Sequence, residues 1–333
     1  MDRDAAPRPV DVSLLIVTWN SERWIERCLR SIDVAASGLT CEIVVCDNGS
    51  RDGTLERVRR ILETAAADRL THVIGLPDNQ GFAAGINHAF RRSSGRFAFL
   101  LNPDCELQEA SLTRLVEFLD SRPDVAAAAP LLHDDDGKVQ REFQLRRLPT
   151  FGMLTAEILL VSKAFPGNRT TSRYRYRDLD VREPVRIEQP AAAALLVRRE
   201  TMLQVGPLDE RFSPAWFEDV DLCRRFVERA KPVFLVPSSH VTHSGGSSLE
   251  TMQFGEFTGI WYRNMWRYAQ KWMSSGETEA LRWFMIGGMM LRIVAAIVGF
   301  RPEGVPLREA LRAYAGVLKG AFERWDVSSP SSS

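Results

Sequence analysis

Cysteine is scarce in this chain of 333 residues: there are five, Cys28, Cys41, Cys46, Cys105 and Cys223, and none forms a C-x-x-C pair. An odd, scattered set excludes a disulfide framework and a cysteine-built zinc module, and fits reduced thiols in a cytosolic protein. Cys41 and Cys46 lie five apart on a run that reads as strand, so they face opposite ways and make no metal pair. An excess of either charge is missing too. Lys+Arg and Asp+Glu both number 43, and a general nucleic-acid binder would carry a basic field. The opening MDRDAAPRPVD has no apolar signal-peptide core. Residues 1–10 are expected to be flexible, and the tail 326–333, ending SSPSSS, disordered.

Glycine-rich phosphate cradles are also absent. Dinucleotide binding needs G-x-G-x-x-G directly after the first strand, and the turn here is Thr18-Trp19-Asn20-Ser21-Glu22-Arg23. No P-loop occurs, and the same turn lacks the glycine- and Lys/Arg-rich loop that a nucleotidyltransferase uses. Backbone alone therefore does not cradle a diphosphate. A metal held by strand-end carboxylates can neutralise one instead. No obvious nucleophilic serine or cysteine stands out either.

What is present is a regular alternation. Apolar runs at 12–20, 41–47, 70–76, 96–102 and 125–130 read as strands. Helical patterns separate them at 22–32, 54–65, 81–93 and 111–121. Strands that are apolar throughout and alternate with helices indicate βαβ units and a parallel sheet covered on both faces. The arginine-rich stretch 131–190 reads as a partly irregular excursion. A small-residue strand (AAAALLVRRE), a helix (FEDVDLCRRFVERA) and a strand (PVFLVP) follow.

Ligands of such sheets bind beyond the carboxyl ends of the strands. Three ends carry polar clusters: Thr18-Trp19-Asn20, Asp47-Asn48-Gly49-Ser50 and Asn102-Pro103-Asp104. Pro103 cannot continue a ladder, so Asp104 sits just past a buried strand.

The C-terminal region differs in character. Trp283–Phe300 is 18 residues with one charge, Arg292. It is at the short limit for a span, and a central arginine is costly in lipid. A deep-buried core helix or a re-entrant, interfacial segment fits it better. The next helix places Leu307, Leu311, Tyr314 and Leu318 on one face, with Arg308, Arg312 and Lys319 off it, a pattern that suits a membrane surface or simple packing.

Six segments in order, VSLLIVTWNSERWIERCLRSI, VVCDNGSRDGT, NQGFAAGIN, LLNPDCEL, RFSPAWFEDVDLCRR and VTHSGG, resemble family 2 glycosyltransferases of the GT-A fold. The resemblance is closest to the bacterial rhamnosyltransferase-like branch and runs from about residue 11 to 247. It implies an α/β GT-A domain over 11–250, a mostly parallel sheet flanked by helices; the apolar and amphipathic patterns described above make 251–325 a helical, membrane-associating extension. It implies that Thr18, Asn20, Asp47, Asn48, Asn79, Gly81, Phe82, Gly85, Asn87, Asn102 and Asp104 surround a nucleotide sugar, with Asp47 reading the base. Asp47 also suits a turn, and Asp52 a helix cap. Gly81 and Gly85 allow close backbone approach. Asn102-Pro103-Asp104 stands where many relatives carry D-x-D, so one acid is missing, and His243 is the implied extra ligand for Mg2+ or Mn2+. Asp219 is implied as general base, with Glu218 as alternative. Glu218, Asp219 and Asp221 crowd a helix N-terminus, where carboxylates are stabilised anyway, and Arg224 and Arg225 can pair with these acids.

The expectation is therefore an inverting, metal-dependent glycosyltransferase. Its donor is a nucleoside-diphosphate sugar, dTDP-rhamnose first and UDP-linked sugars next. Its acceptor is a glycan or a polyprenyl-diphosphate-linked sugar in bacterial cell-envelope synthesis. The enzyme is expected at the cytoplasmic face of the plasma membrane, as a peripheral protein without nucleic-acid partners. The arginines of 141–186 can serve that diphosphate or form a solvated face. A non-catalytic sugar-nucleotide scaffold and a nucleotidyltransferase are the competing readings.

Overall fold

Seven consecutive buried residues, Val12–Thr18, form β1. They do so in a computed structural model that describes residues 9–65, 69–165, 167–177, 179–245 and 252–325. Of the ends expected to be flexible or disordered, 1–10 and 326–333, residues 1–8 and 326–333 lie outside the described residues. Side chains of β1 alternate between two covered faces, as period-two geometry requires. Val12, Leu14 and Ile16 join a core with Ile25, Cys28, Leu29 and Ile32 of α1 (Ile25–Ala35) and Val58 and Leu62 of α2 (Thr54–Ala65). Val17 points the other way, onto Gly85 of α3 (Phe82–Arg92).

The remaining elements are β2 (Cys41–Asp47), β3 (Leu70–Gly75), β4 (Phe97–Leu101), β5 (Cys105–Leu107), α4 (Ser111–Asp120), β6 (Ala127–His133), α5 (Arg141–Gln144), β7 (Leu145–Arg146), α6 (Phe151–Ile158), α7 (Val161–Ala164), α8 (Arg169–Tyr174), β8 (Val185–Ile187), β9 (Gln189–Pro190), β10 (Ala194–Arg198), α9 (Arg199–Val205), α10 (Glu218–Glu228), β11 (Val233–His243), α11 (Phe254–Trp272), α12 (Ser275–Ile297) and α13 (Leu307–Glu323). Among the described residues the main sheet runs β3-β2-β1-β4-β10-β6-β11-β5, with β8 also on β11. The expected parallel pairing holds for β3, β2, β1 and β4 and for β6 with β11. β10 runs antiparallel between β4 and β6.

Two expectations need correction, and one strand had no counterpart in the sequence pattern. The strand read as PVFLVP continues through a bulge between Val236 and His240 and ends only at His243. Its polar Ser238, Ser239 and His240 disguise the continuation. The three-residue β5 was too short to read, yet it pairs antiparallel with the end of β11 and sets His243 opposite Cys105. The stretch 131–190 is also more regular than expected, because β6 extends to His133 and, among the described residues, five short helices and strands precede β8.

By its internal contacts the chain forms two compact units. One comprises Met1–Arg147, Leu179–Glu210 and Glu218–Ser247; the other Leu148–Asp178, Arg211–Phe217 and Ser248–Ser333. The second unit is helical. A capping box starts α12: Ser274 accepts from the Glu277 amide, and Glu277 accepts from the Ser274 amide at 3.0 Å. α12 crosses α6 where Gly288 lets Ile158 approach; a Cβ there would lie 2.6 Å from Ile158 Cγ2. Arg292 is not stranded in apolar surroundings, since its guanidinium donates to the carbonyls of Ile158, Gly288 and Glu157. It thereby caps the open end of α6. On α13 the buried face is centred on Ala310, Ala313, Tyr314 and Val317, and Leu307, Leu311 and Leu318 are only half-buried. The small residues face inward because neighbouring helices come close, which outweighs the larger transfer gain of leucine.

Candidate active site

The strand ends form a connected polar crown. Asp47 closes β2 and is buried. Its carboxylate accepts from the Thr18 hydroxyl at 2.8 Å and from the Ser50 amide and hydroxyl at 3.0 and 2.6 Å. The turn role weighed for Asp47 is thus met by internal partners. Asn20 follows β1 with a positive φ of 50°, which asparagine tolerates. Its side-chain oxygen accepts from the Arg51 amide at 2.8 Å. Asn48 donates to the Gly81 carbonyl at 3.0 Å and accepts from the Gln80 amide at 3.2 Å. Asn79 accepts from the Gly81 amide at 2.9 Å, and Gly81 itself starts α3 at φ 94°, a conformation that favours glycine. Thr18, Asn20, Asp47, Asn48, Asn79 and Gly81 are therefore brought together. Phe82 is half-buried beside them, and Asn79 is exposed. Asp52 accepts from the Thr54 amide at 3.1 Å and so caps α2.

Two candidates sit below this crown. Gly85 makes its close approach to Val17 of β1, where a Cβ would meet Cγ1 at 2.7 Å. The buried Asn87 amide is fully engaged. It donates to the Leu208 carbonyl and to Glu210, and its oxygen accepts from the Leu208 amide, all at 2.8–2.9 Å. Both residues support the crown from within the fold.

After β4 the chain turns at Asn102, which stays half-buried, and passes to the buried Asp104. Because His243 is the register partner of Cys105, its imidazole reaches Asp104: Nε2 lies 3.7 Å from Oδ1. One ligand atom from each of Asp104, Cys105 and His243 lies within 4.8 Å of the others. Asp104 Oδ1 is buried without a hydrogen-bond partner among the described residues. A buried carboxylate oxygen left unsatisfied is costly unless a cation completes it, so the site fits a divalent metal. Gln140 orients the histidine: its Oε1 accepts from Nδ1 at 2.8 Å, and its Nε2 donates to the His243 carbonyl at 2.7 Å. That bond leaves the Nε2 lone pair free towards Asp104. Phe143 stacks on the ring at 4.8 Å. Burial lowers the imidazole's pKa, with Asp104 opposing, which favours the neutral, ligating form. Cys105 is engaged within the fold. Burial holds its pKa far above the ordinary thiol range, and Sγ donates to the Ala193 carbonyl at 3.3 Å. Oxygen and nitrogen are thus the available donors, a set that suits manganese or magnesium.

Glu218 and Asp219 open α10, immediately after Trp216 and Phe217, which both hold positive φ (72° and 75°). Asp219 is half-buried. Its carboxylate accepts from the Val220 amide at 2.7 Å, the Ala192 amide at 3.3 Å and Gln189 Nε2 at 3.3 Å. Glu218 is buried, and its Oε2 has no hydrogen-bond partner among the described residues. Burial raises both pKa values, Glu218 the more, helped by the adjacent Asp219 charge. The expected arginine pairing is divided: Arg225 meets Asp221 at 3.0 Å, but Arg224 turns to Glu228 at 2.7 Å.

Neighbouring peptide groups tie the acids to the metal end. The Ala192 amide donates to Asp219. The Ala193 carbonyl accepts from the Asn102 amide at 2.8 Å and from Cys105 Sγ. Sequence reasoning missed Gln140, Phe143, Gln189 and the Ala192–Ala193 link. Gln140, Phe143 and Gln189 lie in the stretch read as irregular, and alanine carries no chemical signal.

Comparison with solved structures defines the class. The fold matches a GalNAc-T7 structure determined with UDP, GalNAc and Mn2+, with TM-score 0.60, 16% identity, and coverage of 97% of this chain but 58% of that one. It also matches a mannosyltransferase from Pyrobaculum calidifontis in complex with GDP-Man and Mn2+, with TM-score 0.56, 17% identity and 98% and 91% coverage. The architecture is that of GT-A glycosyltransferases. Residues 13–180, half of the chain, match the family model for glycosyl transferase family 2, and the chain belongs to that family. It is a glycosyltransferase. Among curated proteins it is similar to N-acetylglucosaminyl-diphospho-decaprenol L-rhamnosyltransferase of Mycobacterium tuberculosis, 27% identical over 84% of this chain and 90% of the relative. It is also similar to rhamnosyltransferase WbbL of Escherichia coli K12, 23% identical over 70% and 83%.

Proposed function

We propose that this glycosyltransferase transfers rhamnose with inversion from dTDP-rhamnose, or another sugar from a UDP-linked donor, to a polyprenyl-diphosphate-linked sugar at the inner face of a bacterial plasma membrane. The acceptor class rests on the Mycobacterium tuberculosis relative, and the choice of rhamnose on both rhamnosyltransferase relatives. The observation that carries the mechanism is the link through Ala192 and Ala193, which ties Asp219 to the turn bearing Asp104.

Asp104 and His243 would hold the divalent cation, which when bound neutralises charge on the leaving diphosphate. Thr18, Asn20, Asp47, Asn48, Asn79, Gly81, Phe82 and Asn102 bind the donor, and Gly85 and Asn87 support them. Asp47, held by Thr18 and Ser50, presents acceptor oxygen to the base. Asp219 takes the proton of the acceptor hydroxyl as that oxygen attacks the anomeric carbon and the bond to the diphosphate breaks on the opposite face. Its raised pKa strengthens it as a base, and the Ala192 and Gln189 donors fix its orientation. Glu218 is the second choice for the proton.

The test is transfer from dTDP-rhamnose to a synthetic prenyl-diphosphate N-acetylglucosamine, with Mn2+, the product's anomeric configuration being read by NMR. An inverted rhamnoside supports the reading. A retained configuration would sink the mechanism, and turnover only with UDP sugars would correct the donor.

A further inference from the structure

Eight of the fifteen exposed large hydrophobic side chains among the described residues fall within one 18-residue stretch. They are Trp283, Phe284, Met290, Leu291, Val294, Ile297, Val298 and Phe300, 36–79% exposed. On α12 the spacing 283, 287, 290, 294, 297 makes a single outward stripe with Gly287, and residues 284, 291 and 298 widen it. No charged residue interrupts that face from Trp283 to Phe300, since Arg292 lies on the inward side. The helix is thus apolar towards solvent, where a surface helix is usually polar.

The opposite face of α12 is committed. It packs on α6, α11 and α13 and buries Leu281, Met285, Ile286 and Met289. Arg282, buried on that side, pairs with Glu279. Crossing a bilayer would strip these contacts and the arginine's hydrogen bonds, so length alone does not make α12 a span, though it is long and apolar enough. Cationic side chains follow the stripe in sequence. Arg301 follows Phe300 directly, and α13, which packs along α12, exposes Arg308, Arg312 and Lys319. An apolar stripe next to exposed cations is complementary to an anionic lipid surface.

We propose that α12 lies in the plane of an anionic membrane and inserts the stripe from Trp283 to Phe300 into the headgroup and acyl boundary, with Arg301, Arg308, Arg312 and Lys319 on lipid phosphates. The inference deepens the reading of a lipid-linked acceptor but does not depend on turnover. The face is occupied by lipid and not by a second copy.

The test is sedimentation of the full chain with phosphatidylglycerol-containing vesicles against pure phosphatidylcholine vesicles, at low and high salt. The wild type is expected to pellet with the anionic vesicles and to be released by salt. The double variant L291E/V294E is expected to partition roughly tenfold less, with its melting temperature and nucleotide-dependent stabilisation unchanged. A second measurement covers a variant that folds poorly. The five native cysteines are all buried, so a polarity-sensitive dye on Val294→Cys labels selectively. It should shift to the blue on vesicles, and the same dye on the exposed Val34→Cys should not. Equal pelleting of the double variant, or an unshifted dye at 294, overturns the proposal. So does a wild type that ignores vesicles but dimerises through this face. Vesicle binding by a protein without rhamnosyl transfer would sink only the proposed function; transfer without vesicle binding would sink only this inference.

Discussion

At the residue scale the site depends on a few groups whose environments set their chemistry. Asp219→Asn keeps the side chain's shape but removes the base and replaces one of its two accepting oxygens by a donor. Its kcat is expected to fall by roughly 10²–10⁴, measured where thermal melts show the variant still folded. A variant with wild-type kcat would move the role to Glu218. Glu218 yields a pH prediction. Its folded pKa is raised by burial, so the stability that its protonated form contributes is complete below the ordinary glutamate range. That stability is lost as pH rises through the folded value. Glu218→Gln should therefore melt higher than the wild type at neutral pH, and the gain should vanish on acidification towards pH ~4. Thermal melts across that range check the sign. A constant offset at every pH would show that ionisation is not the cause.

At the element scale, two glycines let helices approach their neighbours. In α3, Gly85 admits the Val17 side chain of β1, and in α12, Gly288 admits the Ile158 turn of α6. Either glycine changed to alanine places a Cβ under 3 Å from neighbouring atoms. Each change is expected to cost about 1–3 kcal/mol, measured by urea denaturation. Because Gly85 lies under the crown, G85A should also weaken nucleotide binding, and G288A should not. The chemistry of β11 also belongs to this scale. The pattern of a buried strand was legible to Pro237, but the bulge that carries it on to His243 was not, because a bulge shifts the period on which reading depends.

At the scale of the whole molecule, ligand binding couples to stability. With Mn2+ present, dTDP or UDP should raise the melting temperature by mass action, worth ~2.7 kcal/mol at a hundredfold excess over Kd. Chelation by EDTA, or Asp104→Asn, should abolish most of that gain; a nucleotide shift indifferent to both would remove the metal from the site. Truncation after Ser247 should leave Met153, Leu154 and Ile158 of the α6 helix uncovered, because α12 packs on them. Binding of a hydrophobic dye at native pH would report it. The sequence by itself determined the α/β alternation, the polar strand ends, the acids before α10 and the apolar character of 283–300. Each of these is a local periodicity or composition, which a chain displays without folding. Only the tertiary structure decided that β10 enters antiparallel between β4 and β6, that β5 sets His243 beside Asp104, and that Arg292 turns inward while its apolar neighbours stay outside. Those outcomes depend on register and packing between segments far apart in the chain, and no local pattern encodes them.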